Sequence, residues 1–351
     1  MTASDDPHDW PHATLEEAGF AAELGEQLDA AVRDGRLPNL HAVLVARSGR
    51  LALERYYDGE DETFGRPLGR RVFAPDELHD LRSVTKSVVG LMYGIALDAG
   101  AVPPPETPLL DALPEYGDLA ADPQRRRMTV GHALTMTLGT AWDEGLSYAD
   151  PRNSEHAMEL VPDRWRYVLD RPMEAAPGER WAYNGGASAL LGRLVERGTG
   201  LALRSFAERH LFDPLGIRRL EWVQGRDGSH LAASGLRLRP RDAARIGQLA
   251  LDGGVRGGRQ IVPAAWLERS FSRHADAGEL GYGYQWWLGP TAPDGRPGWI
   301  AGFGNGGQRL FLGPRTGLLV MVAAGNYNDP EAWRVPAAVV TELVIPAVVR
   351  R

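Results

Sequence analysis

The chain contains no cysteine. Disulfides, thiolate nucleophiles and cysteine-ligated metals are therefore excluded. It has no run of eighteen apolar residues free of charge, the length a membrane-crossing helix needs, so no membrane partner is expected. Basic clusters are scarce. Net charge is -7, and the short basic run at 124–127 reads as a solvated turn, so no nucleic-acid partner is expected. The nine histidines are scattered, with no H-E-x-x-H and no close His/Asp cluster at ligand spacing, so no bound metal is expected. The glycines at 302–307 precede a strand, whereas a dinucleotide fingerprint follows one and opens a helix; no organic cofactor is expected either. The opening segment MTASDDPHDWPHATLEEAG lacks the basic and apolar stretches of a secretory signal, and the expected location is cytoplasmic.

What remains is ordinary globular material. With 351 residues, 43% hydrophobic and 24% charged, the chain suits one large domain or two intimately packed ones. T-L-E-E at 14–17 is a capping-box pattern that predicts a helix from there to Asp34. Segments 41–47 and 51–57 flank Ser48-Gly49 and read as an antiparallel hairpin, followed by a loop over 59–78. Helical pieces are expected at 130–136, 154–169, 188–197 and 242–251. The period changes near the C-terminus, where 283–288, 308–312 and 318–323 read as strands and 331–349 as a closing helix. An early hairpin, a helical middle and late strands predict an α/β protein whose antiparallel sheet uses both chain ends. Residues 1–82 and 205–351 would form that α/β domain, and 83–204 the inserted, mostly helical region.

The most informative stretch is DLRSVTKSVVGLMYGIALDAG, residues 80–100. Ser83 and Lys86 stand three apart at the start of an apolar helical pattern and share a helix face. A hydroxyl needs a neighbouring base to act as a nucleophile. An amine serves if burial or nearby positive charge lowers its pKa. At a helix start, Ser83 would also offer an unpaired backbone N–H to an oxyanion. A second segment, PGERWAYNGGASALLGRLVERGTG at 177–200, sets Tyr183 in a glycine-rich turn before a helix, where a phenol can relay a proton. A third, WIAGFGNGGQRLFLGPRTG at 299–317, leads into a strand through glycines that permit close backbone approach.

Together these motifs, with HALTMTLGTAWDE at 132–144, resemble the beta-lactamase-related serine hydrolase superfamily. It comprises class C beta-lactamases, serine DD-peptidases, family VIII esterases and 6-aminohexanoate-dimer hydrolases. The resemblance runs from about residue 10 to 345 and implies a beta-lactamase/transpeptidase-like fold, with the antiparallel sheet flanked by helices. It implies Ser83 as acylated nucleophile, Lys86 and Tyr183 as base and proton relay, and the N–H groups of Ser83 and Phe303 as oxyanion donors. Gly185 stands where beta-lactamases and peptidases have Asn, so one contact to substrate or lysine is missing. Ile300-Ala301-Gly302 stands in place of Lys/His-Thr-Gly; an alternative alignment uses Gly306-Gly307-Gln308. Ile300 offers no charge to a carboxylate.

These departures favour the esterase and aminohexanoate-hydrolase branch, acting on a small ester or amide. The alternatives are beta-lactamase or DD-peptidase-like activity, or a catalytically weak sensor of the same fold. The expected substrate pocket comprises Trp142, Asp143, Tyr148, Asn184, Gly185, Ile300 and Gly302. Trp181, Trp286 and Trp287 are further candidates for an apolar wall, or else core residues.

Overall fold

The computed structural model describes residues 10–349; the first nine residues of the acidic opening segment lie outside them. The centre is an eight-stranded antiparallel sheet. Across it the strands run Ala275–Ala277, Leu280–Tyr282, Trp287–Leu288, Ile300–Gly304, Gln308–Gly313, Leu318–Ala324, Leu40–Arg47 and Arg50–Tyr56. The late strand LLVMVAA is buried throughout because both faces are covered. Side chains alternate between two cores, as a period of two requires. Leu319, Met321 and Ala323 join Leu44 and Leu310 on one face; Leu318, Val320 and Val322 join Val43 and Val45 on the other. The first face is covered by the helices Val84–Asp98 and Pro240–Leu251, the second by Leu24–Arg33 and the C-terminal helix.

The early hairpin forms as the turn chemistry demands. Ser48 and Gly49 have φ of 50° and 78°, the positive pair of a two-residue turn that matches strand twist. Other elements differ from the sequence reading for local reasons. Thr14 and Glu17 do make both capping-box bonds, at 2.9 and 3.2 Å, but the chain turns at Gly19 and the helix is Leu24–Arg33. The helix expected over 154–169 is two, Ser154–Leu160 and Arg164–Leu169. Pro162 interrupts it, and Asp163 accepts the Arg166 N–H to start the second. The loop at 59–78 contains a hairpin, Gly59–Thr63 with Arg66–Arg71. The strand expected at 283–288 is broken at Gln285, whose φ is 64° and whose amide donates to the carbonyls of Ala133 and Leu134. The closing helix is Arg334–Ala338, widening into a π turn over Val339–Val344 before Pro346.

The reactive helix Val84–Asp98 is buried along most of its length, between the sheet and the helix Gly185–Thr199. Trp266 packs so closely on Gly94 that a Cβ there would lie 2.1 Å from its ring. The segment entering the helix is fixed by a small three-stranded sheet, in which His79–Asp80 pairs with Leu236–Leu238 and that strand with Leu220–Trp222. Among the described residues, no helix is long and apolar enough to cross a membrane.

Candidate active site

Arg82 takes a φ of 47°, and the chain then enters the helix at Ser83. Val84 and Thr85 donate their N–H groups to the carbonyls of Leu81 and Arg82. Among the described residues no protein acceptor takes the Ser83 N–H, which is free to face an oxyanion. One turn on, the Lys86 ammonium lies 3.1 Å from Ser83 Oγ. Lys86 is the single lysine in the chain, the other basic residues all being arginines. It is buried to 1% exposure, a costly place for an ammonium without partners.

The partners are present. Lys86 donates to Glu155 Oε2 at 3.2 Å and to the Ala233 carbonyl at 2.9 Å. Its charge also sits 5.0 Å from the centroid of the Tyr183 ring. Burial acts to lower the Lys86 pKa, but the Glu155 carboxylate, with Tyr183 and Glu144, more than reverses this. The amine is therefore held above its ordinary pKa, opposite to the lowering expected for a resting base. Glu144 stands behind it, accepting from Trp142 Nε1 at 2.6 Å, from the Tyr148 hydroxyl at 2.8 Å and from the Gly185 N–H. Burial and the neighbouring Glu155 push Glu144 above the usual carboxylate range, against the pull of Lys86.

Gly185 explains how this acid pair fits. A Cβ there would lie 2.1 Å from Glu155 Oε2 and 3.1 Å from Glu144 Oε1. The space a side chain at 185 would need is filled by carboxylates, and Glu155 makes the lysine contact that Gly185 cannot. Neither glutamate was singled out as a lysine partner from sequence. The available signals were the lone lysine, which needs a counter-charge if buried, and the glycine at a position where a polar side chain is expected.

A family model described as Beta-lactamase matches residues 27–341. The chain belongs to the beta-lactamase family. Within it, the chain is 28% identical over 342 residues to a 6-aminohexanoate-dimer hydrolase of Paenarthrobacter ureafaciens, covering 88% of this chain and 80% of that one. It is 31% identical over 217 residues to Esterase EstB of Burkholderia gladioli, covering 60% of this chain and 53% of that one. Among solved structures, EstCE1, a hydrolase with promiscuous acyltransferase activity, superposes with a TM-score of 0.66 at 16% identity, covering 90% of this chain and 96% of that one. The beta-lactamase/transpeptidase-like fold read from the sequence is thus the fold of the chain.

In this family member Tyr183 lies beside the serine and lysine. Burial raises its pKa and the Lys86 charge pulls it back, leaving it above its ordinary value; a hydrogen bond with Ser83 acts in the same direction as Lys86. The Tyr183 ring stacks on Trp287 at 5.7 Å, and Trp287 stacks on Phe303 at 5.0 Å. Trp181 closes on Trp287 at 5.3 Å, so these aromatics form a wall that braces the tyrosine, while Trp286 is wholly in the core.

The strand Ile300–Gly304 lies against the helix start. Cβ atoms at Gly302 and Gly304 would come within 3.1 Å of Ser87 Oγ and 2.6 Å of the Leu81 carbonyl. This brings the Phe303 backbone to the same end of the helix as Ser83. Its neighbour Trp287–Leu288 pairs only with Ile300 and Ala301, so residues 302–304 have no strand partner on that edge. The alternative alignment is displaced from the site: Gln308 is tied to the Ala324 backbone and Gly307 faces Ala324 and Pro336.

Ser83 opens onto a cavity of about 450 Å³, lined also by Arg82, Tyr148, Glu155, Glu159 and Ser234. Of the expected pocket residues, only Tyr148 is on this wall. Trp142 is buried against Tyr167, and Ile300 is buried in the core under the sheet. Asn184 caps the following helix by accepting the Ala187 N–H at 2.9 Å. Asp143 is exposed and accepts the Gly145 N–H at 2.7 Å, a local turn. These residues shape the site from behind or stand apart from it, because each is committed to packing or to backbone.

Proposed function

We propose that this chain is a serine hydrolase that cleaves small esters or amides through an acyl-enzyme on Ser83. The observation that carries this is the only lysine of the chain, buried 3.1 Å from Ser83 Oγ. Family membership and the named activities of the relatives support it. Lys86 holds a proton at rest, so attack first requires that it move. The acceptor in reach is Glu155, 3.2 Å away. A substrate filling the cavity excludes water from this pair and favours its neutral form over two buried charges. The free amine then takes the Ser83 proton as Oγ attacks the acyl carbon. The N–H groups of Ser83 and Phe303 hold the oxyanion. As the intermediate collapses, Tyr183 protonates the leaving alkoxide or amine and recovers its proton from Lys86. Water repeats the sequence on the acyl-enzyme.

The cavity offers an anionic substrate no uncommitted arginine or lysine. Glu62, Glu155 and Glu159 line it, paired with Arg82 at 2.7 Å, Lys86 at 3.2 Å and Arg164 at 3.2 Å. An anionic penicillin would find no free fixed cation there for its carboxylate. On this reading short acyl nitrophenyl esters are turned over and penicillins are poor substrates. The division of the chain into an α/β domain and an inserted helical region at 83–204 belongs to the same reading, with the site at the seam.

A fluorophosphonate probe followed by peptide mapping tests the assignment. A single adduct on Ser83, absent after S83A, is expected. Labelling elsewhere with none on Ser83 would refute it.

A further inference from the structure

Four residues before the serine, a second buried polar cluster has formed from residues far apart in sequence. We propose that His41, Asp61 and His79 bind a structural zinc ion. One ligand atom from each lies within 4.8 Å of the others, and all three residues are buried, at 0%, 6% and 0% exposure.

The tautomers are the decisive point. Asn39 is fixed in orientation, since its Nδ2 donates to the Glu60 carbonyl and its Oδ1 accepts the Glu60 N–H, both at 2.9 Å. Its Oδ1 therefore faces His41 Nε2 as an acceptor at 3.2 Å, which places the His41 proton on Nε2. His79 Nδ1 faces the Asp80 carbonyl at 3.1 Å, which places the His79 proton on Nδ1. The two remaining nitrogens, His41 Nδ1 and His79 Nε2, face one another at 2.9 Å. Each then presents a lone pair to the other, and only a cation between them satisfies both.

A divalent metal fits the donor set. Two imidazoles and a carboxylate suit zinc, which takes nitrogen at about 2.0–2.1 Å and is commonly tetrahedral. At that geometry two nitrogens stand about 3.3 Å apart, so the rings need open by only about 0.4 Å. Water or the Tyr327 hydroxyl would supply the fourth ligand.

The outer contacts match what orients metal ligands. Each imidazole gives its far N–H to an oxygen, and Asp61 Oδ1 accepts from the Tyr327 hydroxyl at 3.0 Å. The His41 ring is locked: Phe73 stacks on it at 4.1 Å, and Cβ atoms at Gly59 and Gly325 would both come within 2.4 Å of it. The nearby fixed cations are themselves paired, Arg237 with Glu221 at 2.6 Å and Arg82 with Asp80 at 3.2 Å and Glu62 at 2.7 Å. An ion here would tie the first sheet strand, the Gly59–Thr63 strand and the segment entering Ser83 into one unit.

The test uses the full chain without a histidine tag, stripped with chelator and titrated with Zn²⁺ and, as a spectroscopic probe, Co²⁺. About one equivalent of zinc per chain by elemental analysis, a tetrahedral cobalt absorption and a higher melting temperature with metal are expected. D61N keeps the side-chain shape and should bind at least about tenfold more weakly while remaining folded by circular dichroism. H41N should lose the cobalt spectrum. Less than about 0.1 equivalent in the folded wild type would overturn the proposal and leave the pair to a trapped proton, visible as an imidazolium by nitrogen NMR. Unchanged binding in folded D61N and H41N would overturn it too, because the metal would then lie elsewhere.

Discussion

Leu81 separates two buried polar clusters that differ in access. Beyond it, Ser83 and Glu155 line a cavity of about 450 Å³, with Lys86 bonded to both. Before it, His41, Asp61 and His79 are closed off by Phe73, Tyr327 and two glycines. Both groups pay the cost of desolvated polar atoms, and both meet it with dense hydrogen bonding. The open cluster contains a movable proton between an amine and a carboxylate, beside a hydroxyl that substrate can reach. The closed cluster has both outer ring nitrogens committed and all three residues buried. Burial alone therefore does not mark a catalytic group. Access and an uncommitted nucleophile do.

The largest effect that separates the two clusters is expected from S83A. Ester hydrolysis should fall by a factor on the order of 10⁴ or more in kcat/KM. Melting temperature and metal uptake at His41 should not change, because Ser83 holds no part of the closed cluster. Comparable loss of metal binding would show that the two clusters are one unit.

A smaller and more selective effect is expected from Y183F. The loss should be on the order of 10²–10⁴ for alkyl esters and amides, whose leaving groups need a proton. It should be clearly less for nitrophenyl esters, whose anion departs unaided. Equal losses across leaving groups would remove Tyr183 from proton delivery.

E155Q sharpens the contrast through pH. The Lys86 pKa is raised in the folded state, so the pair's stabilisation is fully present below the ordinary lysine value and is lost as pH rises through the higher folded one. Removing the carboxylate should lower thermal stability most at neutral pH, by up to about 3–5 kcal/mol. The difference from wild type should shrink at strongly alkaline pH. With one lysine in the chain, its Cε resonance reports the change directly and should titrate at lower pH in the variant. A stability difference independent of pH would mean that Glu155 acts only by packing.

The smallest effect expected is that of G185N, which restores the side chain found in beta-lactamases. With Glu155 Oε2 only 2.1 Å from the new Cβ, the acid must move, costing about 1–3 kcal/mol. Hydrolysis of nitrophenyl esters should fall and that of penicillins should not rise. A gain in penicillin hydrolysis would show that the glycine alone had set the substrate class.

The same comparison shows what sequence can reveal. Ser83 and Lys86 were readable because three residues on one helix are near neighbours in space, and the sheet because its strands carry apolar residues at period two. Glu155 lies 69 residues beyond Lys86, and nothing in its local sequence marks it. His41 and His79 are 38 residues apart, on a sheet strand and in a small separate sheet, so their approach depends on tertiary structure. The Gly59–Thr63 hairpin was hidden because the partner strand Arg66–Arg71 is exposed along its whole length and shows no alternation. The expected pocket drifted for a similar reason. Residues in or beside the motifs, such as Ile300 and Asn184, serve the core and the cap, whereas much of the cavity wall, including Glu62, Tyr148, Glu155, Glu159 and Ser234, comes from segments with no motif.

Rapid mixing of wild type and K86A with a short acyl nitrophenyl ester, with the protein mass read at each time and circular dichroism confirming the fold, reads whether Lys86 activates Ser83 for acylation. Wild type should release a burst of nitrophenolate matched by one acyl group on Ser83, and folded K86A should lose most of that acylation rate. A burst of similar rate in K86A, or an acyl group on any other residue, would refute this role for Lys86.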